Sequence, residues 1–145
     1  MKILAIDPGD ARTGMACCDE EERLASPIGV IFEHNRERLI ERIAEETNRL
    51  GAALILVGHP INMNGTFGPR SESARVLAEE LHRKTSLPVT LWDERCTTVS
   101  AIEILNTTNV RKAKRKNVID AVAAVVLLEN FLSFRKNQKE PKPPE

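Results

Sequence analysis

Residues 2–14 read KILAIDPGDARTG, and no other stretch restricts the fold as strongly. Ile3, Leu4, Ala5 and Ile6 make a short unbroken apolar run. A run of that length suits a strand covered on both faces, as in the parallel part of an α/β sheet. Asp7 closes the run and Pro8-Gly9 breaks it. A carboxylate at the mouth of a buried strand is placed for chemistry. Asp also ends strands simply because its side chain bonds the local backbone.

The pattern that follows defines the sheet. Residues 13–18 and 24–32 read as two further strands, and three strands joined by short turns form an antiparallel meander, since parallel strands need a long crossover. Pro27 then belongs at an edge or a bulge. Asn35 can cap a helix running to about Leu50, with Leu39, Ile40, Ile43 and Ala44 on one stripe and Gly51 as its stop. From residue 54 the pattern changes to strand, helix, strand: residues 54–57, 69–85 and 89–92, which implies right-handed crossovers and parallel pairing. The expected fold is α/β, a mixed five-stranded sheet with three antiparallel strands and then two parallel ones, flanked by helices. A short helix over 98–105, a basic loop over 111–116 and a helix capped by Asn117 complete it. The body of that last helix, residues 122–131, is apolar on nearly all sides and implies deep packing against the sheet. Residues 1–134 are expected to form one domain, and the polar stretch 135–145, with three prolines near its end, a disordered tail.

Composition excludes several classes. At 145 residues one domain can bury roughly 68–70% of its unfolded surface without staples. Three cysteines, Cys17, Cys18 and Cys96, form no framework, and adjacent Cys17 and Cys18 on a strand point to opposite faces. They read as packing thiols in a reducing, cytoplasmic setting. No secretory leader is visible, and no apolar run reaches the ~18 residues of a membrane span, so no membrane partner is expected. Aromatics are only 3% of the chain, which argues against an extended stacking platform for single strands. Net charge is zero, yet residues 111–116 hold five cations, Arg111, Lys112, Lys114, Arg115 and Lys116. Such a run can meet a phosphate backbone without a basic overall balance.

Asp7, Glu94 and Asp120 share a type of position. Sites in open α/β sheets form outside the carboxyl ends of parallel strands, where Asp7 and Asp93-Glu94 both open. Asp120, in the first turn of the last helix, completes a three-carboxylate cluster if that helix starts at the same edge. Asp93 is the rival of Glu94, since successive strand residues face opposite ways. Three such carboxylates repel one another unless hard divalent cations, Mg²⁺ or Mn²⁺ and most naturally two of them, lie between them. The plain alternatives are a helix-dipole role for Asp120 and surface pairing of Glu94 with Arg95 or Arg12. Arg12, Arg70 and Arg95 join the 111–116 run as candidate nucleic-acid contacts.

Four segments carry a family resemblance. They are Asp7-Pro8-Gly9 with Arg12 and Gly14; Val57-Gly58-His59-Pro60 with Gly65-Thr66 and Gly68-Pro69; Leu87-Pro88-Val89 through Asp93-Glu94-Arg95-Cys96-Thr97-Thr98; and Arg115-Lys116 with Ile119-Asp120-Ala123-Ala124. In this order they resemble the YqgF family, also called RuvX or Holliday-junction-resolvase-like, over nearly the whole chain to about Leu132. The D-E-R-x-T-T run is the most specific part. The resemblance implies a ribonuclease-H-like fold, with Asp7, Glu94 and Asp120 as the catalytic, metal-binding acids. It also implies a metal-dependent endonuclease that matures the 5′ end of the small-subunit (16S) ribosomal RNA precursor. The chain departs from the family pattern at His59 (for Leu), Asn64 (for Asp), Ala11 (for a basic residue) and Cys96 (for Leu). None of these positions is in the triad.

Competing functions follow from the same residues. One is a junction resolvase on branched DNA, and another is a nucleic-acid or ribosome-assembly binder that does not cut, because fold resemblance does not carry activity with it. A third is a nucleotide-dependent phosphotransferase, which needs a second domain that 145 residues do not supply. The expected partner is structured RNA or branched DNA, with the protein as monomer or homodimer.

Overall fold

The computed structural model describes residues 1–61, 64–93 and 112–139; for residues 112–120, 138 and 139 the helical backbone alone is described. The elements are β1 (Ile3–Asp7), β2 (Arg12–Cys18), β3 (Ala25–Phe32), α1 (Arg36–Leu50), β4 (Leu54–His59), α2 (Pro69–Thr85), β5 (Val89–Asp93) and α3 (Lys112–Lys139). The sheet runs β3-β2-β1-β4-β5. β1 pairs antiparallel with β2 and parallel with β4, and β4 pairs parallel with β5. The central strand is β1, whose residues Ile3 to Ile6 are fully buried, as an unbroken apolar run requires.

Strand alternation sorts side chains onto two cores. Leu4, Ile6, Met15, Cys17, Ile55 and Val57 pack with α1 and α2, whereas Ile3, Ala5, Ala16, Cys18, Leu54 and Leu56 pack with Ala124, Leu127, Leu128 and Phe131 of α3. Cys17 and Cys18 therefore lie on opposite faces, and burial raises both thiol pKa values, which keeps them protonated and inert. Pro27 sits on edge strand β3 opposite Ala16, where the ladder slips between Met15 and Ala16. α1 begins at Asn35, whose side chain accepts the Arg38 N–H at 3.0 Å, and stops at Gly51 with φ 72°.

Two expectations are corrected. Lys112, Lys114, Arg115 and Lys116 are not in a loop but in the first turns of α3, and Asn117 is inside the helix rather than its cap. Lys and Arg are good helix formers, no Gly or Pro interrupts residues 112–139, and repulsion between like charges one turn apart costs only tenths of a kcal/mol. At the other end, α3 continues through Arg135 to Lys139, where a disordered tail was expected from residue 135. A long-range clasp holds it at Arg135. Arg135 Nε donates to Glu22 Oε1 at 2.6 Å, the guanidinium lies 5.8 Å from the Phe131 ring centre, and Glu22 also pairs with the Met1 ammonium at 3.2 Å. The helix expected over 98–105 and the residues beyond 139 lie outside the described residues.

That clasp also fixes the direction of α3. Glu22 belongs to the turn joining β2 to β3, at the edge where β1 begins, because Leu4 lies opposite Cys17. The C-terminal end of α3 is therefore held at the start of β1, and its N-terminal end runs towards the edge where β1 ends. α1 and α2 also start at that edge, since they follow the ends of β3 and β4.

Candidate active site

The carboxyl ends of β1, β4 and β5 define one edge of the sheet, marked by Asp7, His59 and Asp93. Asp7 continues the alternation of Ile3 and Ala5, so it belongs to the face covered by α3. Directly across β2 its partner is Gly14, and the parallel register Ile6 with Val57 carries it towards Gly58 on β4. The two strands that flank Asp7 thus place glycines, not side chains, beside its carboxylate. Sequence reading singled out Gly14 and Gly58 only as family markers, since the register that brings them to either side of Asp7 is a property of the sheet.

Arg12 opens β2 on the same face, opposite Phe32, with its guanidinium carbon 5.9 Å from that ring centre. Stacking on Phe32 holds the cation near the Asp7 edge. Arg70 lies at the start of α2 and pairs with Asp10 at 3.2 Å; both side chains are exposed, so this pair contributes little to stability. A small cleft of about 180 Å³ runs between the β1–β2 turn and the start of α2, lined by Pro8, Gly9, Asp10, Pro60, Arg70 and Ser73 among others. Arg36, which sequence reading missed, begins α1 at this edge and donates to the Ser73 backbone carbonyl at 3.2 Å. Its signal was the Asn35 cap, which starts a helix where β3 ends.

Gly9 carries the turn between β1 and β2. A Cβ there would meet the backbone carbonyl oxygen of Arg12 well inside van der Waals distance. Gly9→Ala is therefore expected to push Arg12 away from the Asp7 edge and to lower stability by roughly 1–3 kcal/mol, read from urea unfolding. A variant as stable as the parent would show that the turn is not held this closely.

Asp93 follows Val89 and Leu91, which pack with the α1 and α2 core, so it belongs to the face away from Asp7. His59 shares that far face, following Ile55 and Val57, and stands opposite Asp93 in register. Its Nε2 lies 2.6 Å from Oγ of buried Ser71, and its ring stacks with Phe67 at 5.7 Å between centres. His59 is thus bonded to α2 on the face opposite Asp7. Asp7 and Arg12 are brought together; Arg70 reaches the same edge over the other face. Glu94, Arg95 and Arg111 lie outside the described residues, and for Lys112, Lys114, Arg115, Lys116 and Asp120 only the helix backbone of α3 is described. No group of three metal-ligating side chains occurs among the described residues. No described helix is long and apolar enough to cross a membrane.

Comparison with known proteins adds a lineage to this geometry. In solved structures the fold is similar to that of Thermus thermophilus RuvC in complex with Holliday junction substrate, with TM-score 0.62 and 16% identity over 94% of this chain and 97% of that one. The fowlpox virus Holliday junction resolvase gives TM-score 0.59 at 11% identity over 93% and 99%. These likenesses establish a RuvC-like, ribonuclease-H-type fold. Curated relatives named "Putative pre-16S rRNA nuclease" include one from Thermoanaerobacter pseudethanolicus, 39% identical over 95% of this chain and 100% of its own length. Another, from Pelotomaculum thermopropionicum, is 43% identical over 91% and 86%. The family model described as RuvX, Holliday junction resolvase, matches residues 1–134, which span every strand of the sheet and the Asp7 edge. With an acid ending the central strand of such a sheet, and relatives this close along almost the whole chain, the protein belongs to the RuvX family.

Proposed function

We propose that the protein is a divalent-metal-dependent endonuclease that trims the 5′ end of the small-subunit (16S) ribosomal RNA precursor, with Asp7, Glu94 and Asp120 as its metal-holding acids. The observation that carries this reading is the common face and edge of Asp7 and α3. Asp120 lies one turn before Ala124 of the sheet-facing stripe of α3. From the clasp at Arg135 back to position 120 the helix rises roughly 22 Å at 1.5 Å per residue. From Met1 to Asp7 the strand rises roughly 20 Å. Both segments start at Glu22, so the helix backbone at position 120 and the end of β1 come to similar heights, which supports placing the two acids together. Asp93 belongs to the other face, which leaves Glu94 as the acid proposed for the end of β5.

The donor chemistry fits the proposed ions. Carboxylate oxygens suit Mg²⁺ or Mn²⁺, of which two are proposed, and the residue paired with Asp7 on β2 is Gly14, which adds no side chain of its own there. When bound, the ions supply Lewis acidity to the phosphodiester. The chain's own part is to hold and orient. Asp7, Glu94 and Asp120 provide the negative charge, Arg12 and Arg70 reach the phosphates on either side of the edge, and the starts of α1, α2 and α3 turn their positive dipole ends towards the polyanion. Measuring Mn²⁺-dependent cleavage of a ribosomal RNA precursor beside a four-way DNA junction tests the reading. Cleavage of the RNA alone supports it; cleavage of the junction alone would move the function to the DNA resolution for which the matching family model is named. Tight binding without cleavage of either would leave a nucleic-acid or ribosome-assembly binding protein. The protein acts in the cytoplasm in this reading, as monomer or homodimer.

Arg95 and the cations at the start of α3, with Arg111 just before it, are proposed to hold the flanking backbone. Replacing Lys112, Lys114 and Lys116 together with Gln should weaken RNA binding at low salt. The slope of log affinity against log salt should flatten by roughly 0.7–0.9 for each lost phosphate contact. Titration at several salt concentrations measures this, and an unchanged slope would take these lysines out of the interface.

A further inference from the structure

We propose that Phe67, in the loop between β4 and α2, is a stacking point for one unpaired nucleobase of the substrate strand, an inference that rests on the nucleic-acid reading above. Phe67 is 64% exposed, a large apolar ring turned towards solvent at the end of the loop. The ring is not loose. On one side it stacks with His59 at an interplanar angle of 23°, and His59 is in turn bonded to the buried Ser71 hydroxyl. Before it, Asn64 Oδ1 accepts from the Thr66 N–H at 3.1 Å and the Thr66 hydroxyl at 2.6 Å, while Gly65 takes φ 85°, a value open to glycine. The loop therefore presents a pre-positioned aromatic face, with the outer side of the ring left to solvent.

Position identifies the ligand class. The loop leaves β4 at the edge that carries Asp7, but His59 belongs to the opposite sheet face. A strand whose phosphates lie at Asp7 and Arg12 and then pass Arg70 crosses this edge and arrives beside Phe67. Paired bases keep their faces covered by their neighbours. Only an unpaired base, in a bulge, loop or single strand, can lay its face on an exposed ring. A single stacked base needs one such ring only, so the low aromatic content of the chain is compatible with it.

The test uses the full chain carrying Asp7→Asn, so that bound RNA is not cut. Two RNA hairpins are compared, one fully paired and one with a single bulged 2-aminopurine. With Phe67 present, the bulged RNA should bind about 5- to 150-fold more tightly, with quenching of the 2-aminopurine as it stacks. Phe67→Ala and Phe67→Leu should lose both the preference and the quenching, Phe67→Trp should keep them, and the salt slope should stay the same in all four because no charge changes. A preference that survives in Phe67→Ala, or is absent with Phe67 in place, overturns the proposal and leaves the ring to a protein contact. Cleavage of the ribosomal RNA precursor by the unmodified protein would then still uphold the nuclease reading. Failure to bind either hairpin together with failure to cut would remove both.

Discussion

Asp7→Asn is expected to lower phosphodiester cleavage by orders of magnitude while RNA binding persists or tightens. Asn keeps the size and much of the hydrogen-bonding shape of Asp but loses the charge that holds a divalent cation. Asp7 ends β1 at its last ladder pair with Gly14, so the strand itself stays intact. Removing one anion from an edge that faces phosphates also lessens repulsion of the substrate. The comparison needs both proteins at matched concentration, assayed for Mn²⁺-dependent cleavage and, separately, for equilibrium binding. Equal cleavage by both would trace the activity to a contaminant and exclude Asp7 from the chemistry. A parallel loss of binding and of thermal stability would instead make Asp7 a structural turn residue.

The second large effect concerns the support of that site. Leu128 is fully buried between α3 and the sheet, in the cluster that holds Ile3, Ala5 and Leu56. Leu128→Ala should cost about 2–5 kcal/mol, since the lost side chain leaves a cavity that a close-packed interior fills only in part. That is a large share of the 5–15 kcal/mol typical of a domain. Urea unfolding followed by circular dichroism gives the number directly. Because α3 is the element proposed to bring Asp120 to Asp7, cleavage per folded molecule should also fall. A loss below about 1 kcal/mol would mean that α3 does not cover this face as tightly as the packing of Leu127, Leu128 and Phe131 indicates.

Local signals carried most of the fold. The apolar run before Asp7, the Asn35 cap, the Gly51 stop and the confinement of Pro27 to an edge each depend on a residue's own backbone chemistry or on neighbours a few positions away. Each is found where the sequence places it. The division into an antiparallel and a parallel part follows from the same signals, because short turns give antiparallel neighbours and helical crossovers give parallel ones, whereas the pairing of β4 with β1 that makes β1 central does not. The basic run was misread because a block of cations signals exposure, not backbone conformation. Lys and Arg enter a helix as readily as a loop, and α3 begins among them.

What the sequence by itself determined is therefore most of the elements, the division of the sheet into an antiparallel and a parallel part, and the placing of an acid at the end of β1. Tertiary structure alone decided that β1 is the central strand and which faces Asp7, Arg12, His59 and Asp93 occupy. One residue of register moves a side chain through the sheet, so Asp7 and Asp93 are similar in sequence setting yet belong to opposite faces. It also decided the glycines on either side of Asp7, the seat of His59 on Ser71, and the clasp of Arg135 on Glu22 that sets the direction of α3. Those pairings join residues far apart along the chain, and no local periodicity encodes them; they exist only once the sheet has brought its strands into register.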